Sequence, residues 1–381
     1  MNNEELKDLS FEDALLQLEN IVRELESGRI KLDDAVSAYE KAVVLKQLCE
    51  TKLKAAQLKI EKLKFRRKEN FPLLHLKSRR PEMTTFTEKL LDYTRRFNDR
   101  LPTLFSLPAG AEKRVVEAML YSVTNGGKRL RPFLVCEAAK IFSVSEDESF
   151  RTAAALEILH SYSLIHDDLP SMDNDDLRRG KPTCHKKFDE ATAILAGDGL
   201  LTYAFELLSH PDTAKSAEIR CRLVSMLAKA AGAFDGMVAG QMLDLYSERS
   251  DADYHLEEII RHIEEMKTGR LIRFACEAGA ALGNADLEET EALVVYSRKI
   301  GIAFQIADDI LDVEGNPALV GKTLNKDAAQ GKLTFVGLYG LEKSKQMADE
   351  LVKEAKESLA LFGKKAQTLQ QLADYIVNRK N

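Results

Sequence analysis

Residues 156–201 read LEILHSYSLIHDDLPSMDNDDLRRGKPTCHKKFDEATAILAGDGLL, and five aspartates (Asp167, Asp168, Asp173, Asp175 and Asp176) fall within ten residues directly after an apolar helical run. A solvated helix gathers acids at its N-terminus, where the backbone dipole favours anions, but these follow the helix body. Like charges this close repel one another, so a cation is expected among them. Hard divalent cations take oxygen ligands, and Mg2+ commonly binds through one or two carboxylates plus substrate phosphates. Asp167 and Asp173 stand six apart, too far for adjacent turns of a straight helix, but Pro170-Ser171 can bulge the chain and bring them to one side. The following Arg178-Arg179 pair supplies guanidiniums suited to bidentate phosphate contact. Acids and arginines together point to a metal-bridged diphosphate, with a solvated acidic loop as the alternative. An EF-hand calcium loop is disfavoured, because its glycine at position six and its glutamate at position twelve are missing.

A second acidic set lies in GIAFQIADDILD, residues 301–312, where Asp308 and Asp312 share a helix face at i, i+4 and Gln305 sits one turn earlier. Two acids on an otherwise apolar face are costly unless they hold a metal or an ion partner. Asp309, rotated about 100° from Asp308, suits a supporting or ion-pairing role. Basic groups accompany both sets. Gly126-Gly127-Lys128-Arg129-Leu130-Arg131-Pro132 sets flexible backbone beside three cations without the order of a Walker phosphate loop. Lys267-Thr268-Gly269, Lys322 and Lys332 add cations in glycine-containing contexts, each equally readable as a solvated surface lysine. His160 and His166 precede the first cluster as phosphate donors or as packed core histidines. Neither is assigned as a base, because no Ser, Cys or carboxylate partner stands at a diagnostic spacing.

The elements that position these groups are helical. From Met83 onward, apolar residues recur three and four apart between glycines, prolines and short polar stretches, and alternating β-branched runs are nearly absent. This predicts an all-α bundle of roughly ten helices. Before it, Ser10-Phe11-Glu12-Asp13 offers a capping hydroxyl with an acid three residues on, and Phe11, Leu15, Leu18, Val22 and Leu25 form one apolar stripe. Gly28 ends that helix, Asp33 or Asp34 caps a second, and the pattern predicts a two-helix hairpin over 1–63. A hairpin this small buries too little to stand alone, so its leftover apolar faces want a partner. Residues 64–82, with Pro72 and Pro81 and no consistent period, read as a linker.

A length of 381 residues, 45% hydrophobic and 30% charged, argues against wholesale disorder and fibrous architectures. Five scattered cysteines without a C-x-x-C pair argue for reduced thiols. The start lacks a basic-then-apolar leader, and no run approaches about 18 apolar residues, so a cytoplasmic chain without a membrane span is expected. The net charge of −6 hides an uneven distribution: seven basic against two acidic residues over 64–82 separate a hairpin of net −3 from a remainder of net −8. Bulk charge does not advertise a nucleic-acid binder.

Segment 83–381 resembles the trans-isoprenyl diphosphate synthases, most closely the bacterial farnesyl diphosphate synthases. The resemblance is carried by GGKRLRP (126–132), HSYSLIHDDLPSMDNDDLRRGKPTCH (160–185), AILAGDGLL (193–201), MKTG (266–269), FQIADDILD (304–312) and the two GK pairs of 321–332. It implies that Asp167, Asp168 and Asp173, with Asp308 and Asp312, bind three Mg2+ ions bridging the allylic diphosphate. It implies that Lys128, Arg131, His160 and Arg179 hold isopentenyl diphosphate, and that Arg178, Lys267, Lys322 and Lys332 contact the allylic diphosphate. Thr268 and Gln305 would face the developing cation. The resemblance further implies a homodimer, and proton removal by the departing diphosphate itself. Met266 stands where the family has a histidine, and Leu333, Phe335 and Val336 replace a common Ser, Tyr and Pro, which puts rate or affinity in question more than chemistry.

Tyr162, five residues before Asp167, sits deeper on the same helix, where an aromatic ring can floor a cavity. The family associates such a residue, with the Pro170-Ser171 insertion, with stopping at farnesyl diphosphate. A packing tyrosine and a geranylgeranyl product stay open. A terpene cyclase would need no isopentenyl site, and Lys128 and Arg131 disfavour it. A scaffold or nucleic-acid adaptor would rest on the hairpin and the basic linker, which lacks aromatic stacking motifs. Residues 10–63 resemble the small subunit of exodeoxyribonuclease VII, through F-E-x-A-L, L-E-x-G and Y-E-x-A-V. That resemblance implies a noncatalytic hairpin that binds the nuclease large subunit. Met83 resembles an independent start.

Overall fold

The computed structural model describes residues 85–247, 256–314 and 334–379, with scattered helical residues between 14 and 48. The chain divides into two units, Met1–Glu82 and Met83–Asn381. In the first, Ala14 and Leu45 are fully buried and packed by Leu18, Ile21, Val44 and Leu48, apolar positions at helical spacing on two helical stretches. Phe11, Leu15, Val22 and Leu25, the caps named above and the 64–82 stretch lie outside the described residues.

The second unit is all-α. Its helices are α1 (Phe86–Arg100), α2 (Lys113–Val123), α3 (Leu130–Ile141), α4 (Glu146–Asp167), the one-turn α5 (Cys184–Lys187), α6 (Glu190–Ser209), α7 (Ala217–Ala231), α8 (Met237–Ser247), α9 (Leu256–Glu264), α10 (Arg270–Leu282), α11 (Leu287–Glu314), the short α12 (Phe335–Tyr339), α13 (Leu341–Ser358) and α14 (Gln367–Asn378). Capping boxes start α1 (Thr85 with Glu88) and α4 (Ser145 with Glu148). Helix α4 is apolar nearly all round, with Ala153 to Leu156, Ile158 and Leu159 fully buried, and it runs through the core between α3 and α6. Helix α10 packs on α3, and α11 packs on α13. Among the described residues α6 alone is long and apolar enough to cross a bilayer by length and composition, and it lies along α4.

One small strand pair was not foreseen. Leu177–Arg178 (β1) pairs antiparallel with Lys181–Pro182 (β2), and the turn residues Arg179 and Gly180 have φ of 54° and 75°. Two successive positive φ angles make the tight turn that suits a two-residue hairpin. Strands of two residues are too short to leave an alternating signal. Cys136, Cys184 and Cys276 are buried free thiols and Cys221 is an exposed one.

Candidate active site

Helix α4 delivers the first carboxylates. Asp167 is its last residue and Asp168 caps it. Beyond the helix, Leu169 N–H donates to the His166 carbonyl, Met172 N–H to the Leu169 carbonyl and Asp173 N–H to the Asp167 carbonyl at 2.9 Å. The chain therefore doubles back over Pro170-Ser171 and returns Asp173 to the helix end, as the spacing predicts. Burial pushes the Asp167 carboxyl up to about 6, with Lys267 opposing and Asp173 adding to the rise. Arg178, on β1, grips Asp168 through Nε at 2.7 and 2.9 Å and through Nη2 at 2.5 Å. Burial raises the Asp168 pKa despite that guanidinium. Arg179, at the turn, donates to the Gly126 carbonyl and so joins the acidic loop to the Gly126-Gly127 segment.

The basic segment before α3 is organised from within. Arg129 has φ of 53°, and its guanidinium bonds to Glu157 Oε1 (2.5 Å), Asn98 Oδ1 (2.9 Å) and the Val123 carbonyl (2.6 Å). Arg131 Nη1 lies 3.4 Å from His160 Nε2. Burial first, and then Arg131, Arg179, Arg178 and Arg129, hold the His160 pKa well below its ordinary value, so the imidazole is neutral and its Nε2 accepts from Arg131. Lys128 is drawn down to about 8 by burial and by Arg379, with Asp308 opposing.

Lys267 and Thr268 sit in a π-helical turn, Glu265–Gly269, between α9 and α10. Such widened turns recur at functional sites. Lys267 Nζ donates to Asp244 Oδ2 at 2.5 Å. Burial pulls the ammonium down, but Asp244, Asp167 and Glu264 outweigh it and the net shift is upward. Helix α8 approaches this turn closely because residue 240 is glycine: a Cβ there would lie 2.4 Å from the Lys267 backbone nitrogen. Met266, one of the departures from the family pattern, is buried within the turn.

On α11, Asp312 is buried and Asp308 Oδ1 accepts from Arg379 Nη2 at 2.7 Å. Arg379 also lies 4.0 Å over the Phe304 ring. Asp309 is buried and accepts from the Phe335 N–H at 2.8 Å, which gives it the supporting part its rotation suggests. Gln305 is half-buried on the same helix. Lys322, Lys332 and Leu333 lie outside the described residues.

A cavity of about 630 Å3 connects much of this. Arg131, His160, Tyr162, Asp167, Lys267 and Thr268 line it, with apolar Met237, Val238, Met242, Leu245 and Leu271. Lys128, Asp168, Asp173, Arg178, Arg179, Gln305, Asp308 and Asp312 stand outside its lining. Among the described residues no three His, Cys, Asp or Glu side chains converge as a ready-made metal cage. The two sets nonetheless present oxygen donors only, which suits Mg2+ bound through one or two carboxylates with substrate phosphates completing the shell. Three residues absent from the sequence reading belong to this site: Asp244, Glu264 and Arg379. Asp244 follows Gln241 by three on one helix and was a detectable signal; Arg379, near the chain end, was not.

A polyprenyl synthetase family model matches residues 112–373, and an exonuclease VII small subunit model matches residues 11–62. The chain is 47% identical over 264 residues to farnesyl diphosphate synthase of Bacillus subtilis, covering 69% of this chain and 88% of that protein. It is 45% identical over 269 residues to a chloroplastic geranylgeranyl pyrophosphate synthase of Catharanthus roseus, covering 70% and 74%. Among solved structures, an apo FPP/GFPP synthase from Zymomonas mobilis superposes with a TM-score of 0.69 at 42% identity, covering 77% of this chain and 98% of that one. A fold, a site chemistry and a sequence match that agree over most of the chain place it in the polyprenyl synthetase family, as a prenyltransferase.

Proposed function

We propose that the chain condenses isopentenyl diphosphate with dimethylallyl and then geranyl diphosphate to give farnesyl diphosphate, in a reaction that requires Mg2+. The observation that carries this reading is Tyr162. It lies about 7.5 Å along α4 below Asp167 and lines the cavity, so a tail growing away from the aspartates meets its ring.

Asp167, Asp173, Asp308 and Asp312 would hold Mg2+, with Asp168 fixing Arg178 beside them. When bound, the metal supplies Lewis-acid neutralisation of charge on the departing diphosphate. Arg178 and Lys267, with Lys322 and Lys332, contact the allylic diphosphate. Lys128, Arg131, His160 and Arg179 hold the isopentenyl diphosphate; a neutral His160 can donate through Nδ1–H while Arg131 occupies Nε2. Thr268, in the cavity lining, would face the allylic cation with Gln305 from α11 in support, and the apolar cavity walls keep water from it. No side-chain base is required, because the departing diphosphate can take the final proton.

On α6 and α8, Leu195 and Tyr246 are 58% and 63% exposed outside the cavity lining, which supports a second copy of the chain as their cover. Residues 10–63 we assign to capture of an exonuclease VII large subunit. The catalytic reading is tested by incubating the protein with dimethylallyl and isopentenyl diphosphates, removing phosphate from the products and separating the alcohols. Farnesol is expected to dominate, and EDTA should abolish it. A cyclic hydrocarbon, or geranylgeraniol as the main alcohol, would overturn the reading.

A further inference from the structure

Among the described residues, no hydrogen bond holds the Tyr162 hydroxyl, so the orientation of its ring across the cavity must come from packing. The brace is His166, one turn on along α4, whose imidazole meets the Tyr162 ring edge-on with centroids 5.5 Å apart and planes at 89°. His166 is itself anchored to α6, where its Nε2 lies 3.1 Å from the Ile194 carbonyl. A carbonyl can only accept, so Nε2 carries the proton and donates.

The ring reaches that carbonyl because residue 197 is glycine. A Cβ at Gly197 would lie 2.1 Å from His166 Nε2 and 2.4 Å from Cδ2. Any side chain at 197 therefore evicts the imidazole from its seat and breaks its bond to Ile194. One side of the ring is the α6 backbone, and the other faces Tyr162 and the cavity, whose lining includes Tyr162, His166 and Ile194. A displaced imidazole moves into the space that a growing tail occupies.

We propose that Gly197 and His166 are positioning residues that set product length, by seating the imidazole that holds Tyr162 across the elongation cavity. The proposal rests on the farnesyl diphosphate reading above. Removing the imidazole lets the Tyr162 ring tilt into the vacated space and deepens the cavity. Adding a methyl group at 197 pushes the imidazole inward and shortens it.

The test uses the full chain with dimethylallyl and isopentenyl diphosphates and Mg2+, reading the ratio of product lengths together with the melting temperature. His166→Ala is expected to raise the geranylgeranyl-to-farnesyl ratio about tenfold, the order of discrimination one contact in an apolar pocket supplies. Gly197→Ala is expected to raise the geranyl-to-farnesyl ratio by about the same factor. His166→Gln, whose amide can donate to the Ile194 carbonyl, should return the ratio toward that of the unaltered chain. If Gly197→Ala fails to fold, the contrast between H166A and H166Q decides alone.

Tyr162→Ala separates the two levels of the argument. If it lengthens the product while H166A and G197A leave the ratio unchanged, the seat is refuted and the farnesyl reading stands. If the unaltered chain stops at geranylgeranyl diphosphate and Tyr162→Ala changes nothing, the farnesyl reading and the proposal fall together. A lowered melting temperature with an unmoved ratio also overturns the proposal.

Discussion

Arg129 lies between two residues assigned to the isopentenyl diphosphate site, Lys128 and Arg131, yet its own guanidinium faces inward. It and Glu157 are 2% and 3% exposed, and Glu157 stands one turn before His160 on α4. The pair therefore ties the basic loop to the helix that carries the neutral histidine. Breaking a buried ion pair from one side leaves the other charge uncompensated in a poor solvent, which costs about 3–5 kcal/mol. Arg129→Met is expected to lose stability of that order in denaturant unfolding. It should also raise KM for isopentenyl diphosphate more than KM for the allylic substrate, because the loop rather than the carboxylates is released. Equal rises in both constants would reduce Arg129 to a general folding role. His160, partly buried, lines the cavity beside Arg131.

The element that carries Lys267 and Thr268 is a turn wedged between two helices, and Glu264 lies behind it. Burial, then Asp309, pushes the Glu264 carboxyl up to about 8, with Lys267 opposing. Between about 4.5 and about 8 the folded protein keeps a proton that the unfolded chain has released, so stability falls as pH rises through that window, by up to about 1.4 kcal/mol per pH unit. Because the raised Asp167 carboxyl contributes to the same fall up to about 6, Glu264→Gln should flatten the fall of the melting temperature between about 6 and about 8 in metal-free buffer; a slope that persists there in the variant would locate the proton elsewhere. Glu264 was invisible in the sequence because its partners come from other helices, and the same holds for Arg379, 71 residues from Asp308. What the sequence did expose was local: helical periodicity, the i, i+4 carboxylates of α11, and the Pro170-Ser171 bulge that returns Asp173 to Asp167. The ion pair of Arg178 with Asp168 was only half legible, since arginine placed for phosphate and arginine placed for carboxylate share one sequence signature.

At the scale of the whole molecule, each of the two units has a core of its own among the described residues. The enzyme unit buries a continuous set of apolar residues running from Leu90 to Ile376, whereas the described core of Met1–Glu82 is Ala14 and Leu45 with four flanking side chains. A core that large can hold its unit folded without help. Charge follows the same division: net −3 over residues 1–63, +5 over 64–82 and −8 over the remainder. Removing residues 1–82 should therefore leave kcat/KM for farnesyl diphosphate formation within about twofold of the full chain, as expected of a domain with its own core. On the assignment proposed for residues 10–63, the full chain should capture a purified exonuclease VII large subunit and the same truncation should abolish that capture. A tenfold loss of prenyl transfer would mean that the hairpin helps build the catalytic unit. Capture that survives the truncation would place the nuclease contact within 83–381 and leave the hairpin without an assigned partner, its apolar faces then explained only by a second copy of itself.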